Sequence, residues 1–560
     1  MSTEAIQGVT SSGQPVLILK EGSGRTKGEE ARRNNILAAK LVAEILKSSF
    51  GPRGMDKMLV DSLGDVTITN DGRTLLKEME IQHPAAKMLV EVSKATDDEV
   101  GDGTKSVVIL TGALLEKAEV LLNRGVHPSV IVHGYSKAAA KSIEVLAGLA
   151  ERVSPTNKEW LTKIARTSMQ TKLVSREAQE LAELVVNAVV SVAEKKEGDN
   201  EASYKVDLDD VKVEKKPGGS VADTTLISGI VLDKEVVHAG MPRRVERAKI
   251  ALVSAAFEIE KTEFDAKLNI SDPSMMKKFL DEETRQLKSM VDKVVAIGAN
   301  VVVCQKGIDD TAQYYLAKAG VLAVRRAKES DLTKLAKATG ARIGNNFDDI
   351  SEKDLGYAEL VEERKVEQDK WVFVEGCKNP KALTLLIRGG TQRLVDEAER
   401  SVHDALMVTK DVVEKPSVVA GGGASEVETA SRIRKWATEL SGREQLAGEQ
   451  FAEALETIPI ALAVNAGLSP LDTMTELRAR HAGGGKWYGV EAKEGKVKDM
   501  YQESVFEPLS VKEQVVKSAT EAACMILRID DVIAATKTKG PSGPPGGGGR
   551  GAGEGEAGFD

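Results

Sequence analysis

Apolar residues are spaced differently in the middle of the chain than towards its two ends. In about the first 150 residues they recur every three or four positions, as in the stripe from Ala38 to Leu46, which predicts amphipathic helices. Helical spacing returns after about residue 405 and continues to Ala535. Between these ends, the segment 298–327 alternates short apolar runs with a helical repeat, which predicts a strand, a helix and a second strand. Segment 330–343 predicts a further helix and strand.

Prolines, glycines and polar turns mark where several predicted elements begin and end. Gly51 and Pro52 stop the first long helix, because the residue before a proline is held out of the helical conformation. The same reasoning predicts three more elements: a hairpin of 58–60 with 66–68, a helix from Pro84 towards Thr96, and a helix from Pro128 through Lys141. The chain ends in a glycine-rich stretch from Pro541, which cannot bury a core and is expected to be disordered.

Composition narrows the class of protein. A formal charge of −9 argues against a dedicated nucleic-acid binder. The three cysteines, Cys304, Cys377 and Cys524, are too far apart for a zinc ribbon and too few for a disulfide framework, which is typical of a reducing cytosol. The first residues are polar, and the longest apolar stretches are too short to span a bilayer. We therefore expect a cytoplasmic, multidomain protein that binds neither nucleic acid nor membrane.

The sequence EVGDGTKSVV at 99–108 raises a question of charge. Gly103 and Thr104 stand at the start of a predicted helix, where free backbone N–H groups favour an anion such as phosphate. Asp102 puts a carboxylate at the same place. A Mg²⁺ ion between the two would resolve the repulsion, since Mg²⁺ binds one or two carboxylates together with phosphate oxygens. The alternative is that Asp102 is an ordinary helix N-cap.

The other glycines and acidic residues can also be explained by local structure, without a bound ligand. Gly51 and Pro52 are explained by a helix stop, and Asp71, between Asn70 and Gly72, by a turn. Gly422 lies in a run of three glycines, which suits either close approach to a flat ligand or a flexible linker. Asp404 falls on the polar side of a predicted helix, four residues after Arg400, so its default interpretation is a solvated ion pair. The chain contains neither a GxxxxGK[ST] loop nor a GxGxxG motif after a strand.

Taken together, a set of motifs resembles a group II chaperonin subunit of the archaeal thermosome type, related to the eukaryotic cytosolic chaperonin. The resemblance covers about residues 15 to 535 in the family's order. It rests on GPRGMDKMLVDSLGDVTITNDG, EVGDGT, EKTEFDAK, GANVVVCQKGIDD, LLIRGGT, VDEAERSVHDAL, GGGASEVE, NAGLSPLD and ATEAACMILRIDDVIAA.

The resemblance implies a multidomain, mostly α protein with an inserted α/β domain. The implied segments are 1–151 (equatorial, helical), 152–220 (intermediate, hinge-like), 221–374 (apical α/β, with a helical lid protrusion), 375–407 (intermediate), 408–535 (equatorial) and 536–560 (disordered tail). It also implies an ATP-dependent chaperone whose subunits, of one kind or of paralogous kinds, form two stacked rings that enclose non-native proteins.

The resemblance further implies a site for ATP and Mg²⁺. Asp102 matches the family's Mg²⁺ ligand, and Asp71 and Asp404 match two acids that position and activate the attacking water. The nucleotide-binding positions implied are Gly51, Pro52, Gly103, Thr104, Lys105, Ser106, Thr171, Lys172, Gly422 and Asp499, with Lys172 sensing the γ-phosphate and Asp499 lying near the ribose.

This sequence departs from the family pattern at three positions. Lys105 stands where a second Thr is usual, and its cation could reach a phosphate or point to solvent. Thr171 replaces a common Gly or Ser, and Ser469 replaces an Asp. Two other functions use the same motifs, a small-molecule phosphotransferase and a nucleotide-regulated scaffold. The first needs a polar acceptor pocket, and the intact Asp71 and Asp404 argue against the second, so we expect an ATPase that drives folding.

Overall fold

A computed structural model describes residues 7–9, 15–17, 24–62, 64–172, 174–196, 203–259, 273–379 and 381–534. The glycine-rich tail from Pro541 and residues 260–272 of the expected protrusion lie outside the described residues.

The N-terminal part is mostly helical, as its apolar spacing predicts. Its elements are β1 (Gln7–Val9), β2 (Pro15–Leu17), β3 (Gly24–Lys27), α1 (Gly28–Lys47), β4 (Lys57–Val60), β5 (Val66–Thr69), α2 (Gly72–Glu78), α3 (Pro84–Val100), α4 (Thr104–Asn123) and α5 (Pro128–Leu149). The predicted hairpin is confirmed, since β4 and β5 pair antiparallel. The helices that open at Pro84 and Pro128 run one to two turns further than predicted, because their apolar spacing continues to Val100 and Leu149.

Two helices and short strands follow, and then the mixed central region. The elements are β6 (Glu151–Arg152), α6 (Lys158–Met169), α7 (Ala178–Val192), β7 (Glu194–Lys195), β8 (Tyr204–Lys205), β9 (Val211–Pro217), β10 (Thr225–Ile227), β11 (Gly229–Leu232), β12 (Arg244–Val253), α8 (Pro273–Ala296), β13 (Val301–Cys304), α9 (Asp310–Lys318), β14 (Leu322–Val324), α10 (Glu329–Thr339), β15 (Ile343–Gly344), β16 (Gly356–Val366) and β17 (Asp369–Cys377). The strand–helix–strand prediction for 298–327 is confirmed.

The C-terminal part returns to helices. Its elements are β18 (Leu383–Gly389), α11 (Gln392–Glu414), β19 (Ser417–Ala420), α12 (Ala424–Ala437), α13 (Arg443–Leu455), α14 (Thr457–Asn465), α15 (Pro470–Ala482), β20 (Tyr488–Glu491), β21 (Lys496–Asp499), β22 (Phe506–Pro508), α16 (Leu509–Arg528) and β23 (Asp531–Ala534). β23 pairs with β3, so the last described strand meets a strand that directly precedes α1.

The sheets lie between the helical ends. The largest runs in the order β11-β17-β16-β12-β13-β14, with β15 paired to β12. Strands β12, β13 and β14 are parallel, and their apolar runs of three or four residues are buried on both faces, as a sheet covered by helices requires. A smaller sheet, β10-β18-β9, joins strands that are distant in sequence.

Three apolar cores support these layers. The helical core combines α1, α3, α4 and α5 with α13 and α16, and the rings of Tyr135 and Phe451 meet edge to face there with centroids 5.6 Å apart. A second core covers the seven-stranded sheet. The third joins α6, α7 and α11 to β9 and β18. The positions 151/152, 374/375 and 407/408, where predicted segments meet, fall within β6, β17 and α11, and the segment boundaries remain predictions.

Candidate functional site

A cavity opens between the N-terminus of α4, the loop after α1, the turn before α12 and the hairpin β20–β21. Its polar lining includes most of the residues that the sequence singled out: Gly51, Pro52, Asp102, Gly103, Thr104, Lys105, Ser106, Thr171 and Gly422. Ile164, Val408, Val490 and Met500 line it with apolar surface. One end of the cavity is therefore polar and rich in backbone N–H groups, and apolar walls suit a flat ring.

The polar end is the uncapped N-terminus of α4. Gly103 is the N-cap residue, with φ +79°, and it has no side chain to satisfy the N–H groups of the first turn. The interpretation of Asp102 as the N-cap is wrong, because Asp102 precedes that position. Its Oδ1 instead accepts a hydrogen bond of 2.6 Å from the N–H of Gly103. A carboxylate and free N–H groups thus meet at one place, as the sequence predicted.

Two other glycines bring backbone against the cavity. Gly51 has φ +77°, and a Cβ there would lie 2.4 Å from a methyl carbon of Leu462. Gly422 has φ +63°, and a Cβ there would lie 2.6 Å from the sulfur of Met500. The alternative of a flexible linker at the three glycines is wrong, because they form the turn between β19 and α12. Only glycine fits both positions without strain.

Asp71 begins a helix beside the phosphate-loop candidate. It is the N-cap of α2, and its Oδ2 accepts hydrogen bonds of 2.8 Å from both the N–H and the hydroxyl of Thr74. Burial alone would raise the pKa of Asp71. Lys172 and the Thr74 donors outweigh that effect, so the pKa lies below its ordinary value and the group is ionised.

Asp404 is buried in an ion pair with Lys172, which stands in the loop after α6. The interpretation of Asp404 as a solvated partner of Arg400 is wrong. The Asp404 residue is 8% exposed, and Arg400 pairs with Glu397 instead. Periodicity placed Asp404 on the polar face of α11 correctly. However, α6 packs against α11, and Lys172 just after α6 pairs with Asp404, which a local pattern cannot reveal.

The two acids have opposite pKa shifts. Burial, together with the carboxylates of Asp71 and Asp102, raises the pKa of Asp404 well above its ordinary value, although Lys172 opposes this. For Lys172, burial opposes a charge, but Asp404, Asp71 and Asp102 together raise its pKa. Two acids with different pKa values suit different roles. Asp71, with the lowered pKa, suits a fixed anion, and Asp404, with the raised pKa, suits a proton acceptor.

Lys105 does not point to solvent. Its Nζ donates to the backbone oxygens of Ser49 at 2.9 Å and Asn70 at 3.0 Å, and to Oδ1 of Asn70 at 2.8 Å. Burial lowers the pKa of Lys105 to about 8, against the opposing charge of Asp71. The side chain therefore ties α4 to the loop after α1 and to the turn that carries Asp71.

Of the two remaining predicted residues, Thr171 lines the cavity and Asp499 does not. The hydroxyl of Thr171 donates to the carbonyl of Ser168 at the cavity wall. Asp499 is the last residue of β21, and its carboxylate accepts from the N–H groups of Tyr501 and Gln502. Its neighbour Met500 lines the cavity, whereas Asp499 is not among the residues found lining it. A role for Asp499 near a ribose therefore remains a prediction.

Sequence reasoning missed several charged residues in and around the cavity. Lys512 of α16 is buried between Glu426 at 2.7 Å and Glu507 at 2.6 Å, and both Lys512 and Glu507 line the cavity. Glu397 of α11 is fully buried beside the Asp71 turn. The apolar stripe on α16 places Lys512 within a largely buried helix, which was a usable signal.

The cavity fits a magnesium nucleotide. Free N–H groups at the α4 N-terminus, the Asp102 carboxylate and the nearby Lys172 ammonium supply what phosphates and a divalent cation need. The apolar walls near Gly422 have the character that a nucleotide base needs. No described helix combines the length and apolar character that crossing a membrane requires.

Comparison with known proteins agrees with this geometry. A model of the TCP-1/cpn60 chaperonin family matches residues 42–537. The chain is 57% identical over 541 residues to thermosome subunit alpha of Archaeoglobus fulgidus, which covers 96% of this chain and 98% of that protein. It is 55% identical over 539 residues to a thermosome subunit of Pyrococcus abyssi, with 96% and 97% covered. Thermosome subunit beta of Archaeoglobus fulgidus is 56% identical over 542 residues, with 97% and 98% covered.

The cavity, the buried acid–lysine cluster and these full-length similarities lead to one assignment. The chain belongs to the TCP-1/cpn60 chaperonin family, and it is an ATP-dependent group II chaperonin subunit that hydrolyses ATP and assists protein folding.

Proposed function

We propose that this chain hydrolyses ATP in the cavity at the N-terminus of α4 and uses the reaction to enclose non-native proteins. The observation that carries the proposal is that nine predicted residues line one cavity, with Lys172 and Asp404 paired beside it. The experiment that tests the assignment of the site is ATP turnover by the Asp404→Ala variant, described in the Discussion.

In this proposal, the chain holds the nucleotide mainly with backbone. The first-turn N–H groups of Thr104, Lys105 and Ser106 bind phosphate oxygens, and the loop at Gly51 and Pro52 closes the opposite side. Gly422 lies against the base or sugar. Asp102 would hold Mg²⁺, which would supply positive charge to balance the phosphates. Thr171 closes the wall next to Lys172, whose ammonium is placed to sense the γ-phosphate.

Asp71 and Asp404 divide the work on the attacking water. Asp71, whose pKa is lowered, accepts a hydrogen bond from the water and orients it. Asp404, whose pKa is raised by burial, is the better proton acceptor of the two and acts as general base. Lys172 is already paired with Asp404, so movement of this pair relative to Asp71 adjusts the catalytic geometry.

The two acids come from different parts of the fold, which supports a coupling of chemistry to movement. Asp71 stands on elements of the helical core, together with Asp102. Asp404 and Lys172 stand on α11 and the loop after α6, which belong to the core around β9 and β18. A shift of one core against the other changes the distance from Asp404 to the water, so hydrolysis depends on domain closure.

At the level of assembly, we propose the domain plan that the resemblance implies: equatorial ends, a two-part intermediate domain and a central apical domain with a lid protrusion. Copies of this chain, alone or with paralogous subunits, form two stacked rings in the cytoplasm. The relatives' names, thermosome subunit alpha and subunit beta, support assembly of more than one subunit.

Particle mass by light scattering, with and without Mg-ATP, tests the assembly. We expect a closed particle of about sixteen or eighteen copies, because such oligomers have closed symmetry. Addition of a denatured protein should then yield refolded product only with hydrolysable ATP. A monomer or dimer that neither binds nor refolds the denatured protein would contradict the proposal.

A further inference from the structure

Glu397 is a buried carboxylate that the proposed chemistry does not use. It is 0% exposed, on the same helix as Asp404 and seven residues before it, which is about two turns. Its Oε2 accepts from the hydroxyl of Thr69 at 3.1 Å and from Nε of Arg400 at 3.1 Å. Its Oε1 is buried and has no hydrogen-bond partner among the described residues.

The hydroxyl of Thr69 links Glu397 to the Asp71 turn. Thr69 ends β5 and is 0% exposed, and its Oγ1 accepts a hydrogen bond of 3.0 Å from the backbone N–H of Asp71. A hydroxyl has one proton to donate and lone pairs to accept with. Because the backbone N–H of Asp71 can only donate, Oγ1 accepts from Asp71, and its own proton is directed at Oε2 of Glu397.

The ion pair with Arg400 alone does not account for the buried position of the Glu397 carboxylate. Burying a carboxylate is costly, and an ion pair with Arg400, whose side chain is 31% exposed, could be made at the surface of α11. Instead, the carboxylate points across to β5, the strand that leads into the Asp71 turn. The contact therefore gives α11 a fixed position against the Asp71 turn.

We propose that Glu397 is a positioning residue for hydrolysis, which holds Asp71 in place through the hydroxyl of Thr69. The inference rests on the proposed role of Asp71. Helix α11 then carries both the general base Asp404 and Glu397, which fixes the position of Asp71. Both acids therefore reach their catalytic positions only when α11 packs against β5.

Steady-state ATP turnover by the assembled protein tests this with matched variants. Thr69→Val removes the hydroxyl at constant shape, and we expect kcat to fall about 10- to 100-fold, since small misplacements of a reacting group have effects of this size. KM for Mg-ATP should stay near the wild-type value, because Thr69 does not line the cavity. Thr69→Ser should restore turnover, since it returns the hydroxyl.

Variants of Glu397 complete the test. Glu397→Ala should match Thr69→Val, whereas Glu397→Gln, whose amide oxygen still accepts from Thr69, should keep most of the turnover. The double variant Thr69→Val/Glu397→Ala should be no slower than either single variant, because both remove one linkage. Thr67→Val on β5 and Glu399→Gln on α11, which faces Lys215, are the matched controls and should turn over normally.

Several outcomes would overturn the inference. These are normal kcat in Thr69→Val, a loss confined to KM, equal losses in Thr67→Val, or additive losses in the double variant. If Thr69→Val does not assemble, the comparison of Glu397→Ala with Glu397→Gln decides instead, and equal turnover in those two contradicts the inference. Asp71→Asn separates the two proposals. Full turnover in Asp71→Asn means that the proposed function of Asp71 is wrong, whereas an inactive Asp71→Asn beside a normal Thr69→Val means that only the role of Glu397 is wrong.

Discussion

Two buried lysines, Lys172 and Lys212, are each paired with carboxylates in this molecule, yet their surroundings differ. Lys172 pairs with Asp404, and the two side chains are 8% and 11% exposed. Lys212 of β9 contacts Glu214 at 2.9 Å and Asp331 at 2.7 Å, and it donates to the carbonyl of Val231 at 2.6 Å. Both clusters are equally inaccessible, so burial of charge does not distinguish them.

The two ammonium groups differ in how many of their N–H donors lack a hydrogen-bond partner. Lys212 uses three donors on three acceptors, and it joins the small sheet to the seven-stranded sheet and α10. Lys172 has one hydrogen-bond partner among the described residues, feels the charge of Asp102, and directly follows Thr171, which lines the cavity. The Lys212 ammonium has all its donors taken and holds elements together, although Oδ2 of its partner Asp331 has no hydrogen-bond partner among the described residues. Spare donors beside free N–H groups are instead what we expect where a ligand binds.

The comparison is tested most strongly by Asp404→Ala. Removal of a general base is expected to lower kcat by about 10²- to 10⁴-fold, while nucleotide binding and assembly persist. Phosphate release by the assembled protein and ATP titration by calorimetry measure the two properties separately. Asp396→Ala, on the same helix but paired with Lys215, is the control. Normal turnover in Asp404→Ala would remove Asp404 from the catalytic machinery.

Lys212→Met should have the opposite profile. It leaves Glu214 and Asp331 buried without their cation, which is expected to cost about 3–5 kcal/mol of unfolding free energy. Urea unfolding measures this cost. Turnover per assembled particle should stay close to that of the wild type. A large fall in kcat with unchanged stability would mean that the Lys212 cluster is part of the catalytic machinery.

The Asp102→Ala variant tests whether Asp102 holds the Mg²⁺ ion. Without this carboxylate, Mg²⁺ should no longer strengthen nucleotide binding, and we expect affinity for Mg-ATP to fall about 10- to 100-fold, as for other losses around a metal site. Binding in EDTA should be the same for the variant and the wild type. If Mg²⁺ strengthens binding equally in both, another group holds the ion.

Asp411 extends the comparison to a half-buried carboxyl whose hydrogen-bond partner is a hydroxyl, that of Ser510 at 2.9 Å. Burial raises the pKa of Asp411 to about 6. Its folded-state pKa lies above the unfolded one, so its contribution to stability is fully present below the unfolded pKa, near pH 4, and is lost as pH rises through about 6. Asp411→Asn should therefore stabilise the protein by about 1–2 kcal/mol at pH 8 and not at pH 4. Thermal unfolding at both pH values measures this, and equal effects would contradict it.

The sequence predicted the helix ends and turns of the site better than the side-chain contacts within the site. Local rules placed Gly51, Asp102 and Gly103 at helix ends and tight turns, whereas the family resemblance assigned them to a nucleotide site. Asp404 was assigned to solvent, because a helical pattern shows which face is polar but not whether another element covers it. Glu397 was missed for the same reason, since its partner Thr69 is 328 residues away.

Lys105 is a second example of contacts that a local sequence pattern does not predict. Its identity was an evident departure from the family pattern, but the sequence left its direction open. Three oxygens from Ser49 and Asn70 fix that direction, and they become neighbours only when the α1 and β5 ends meet α4.

The most direct test of the account is a structure of the assembled protein with Mg²⁺, ADP and a mimic of the transferred phosphate. We predict phosphates on the N–H groups that open α4, the metal on Asp102, the base against Gly422, and both Asp71 and Asp404 within hydrogen-bond distance of the attacking water. A nucleotide bound elsewhere, or a metal held without Asp102 while Asp404 stays remote from the phosphate, would contradict the account.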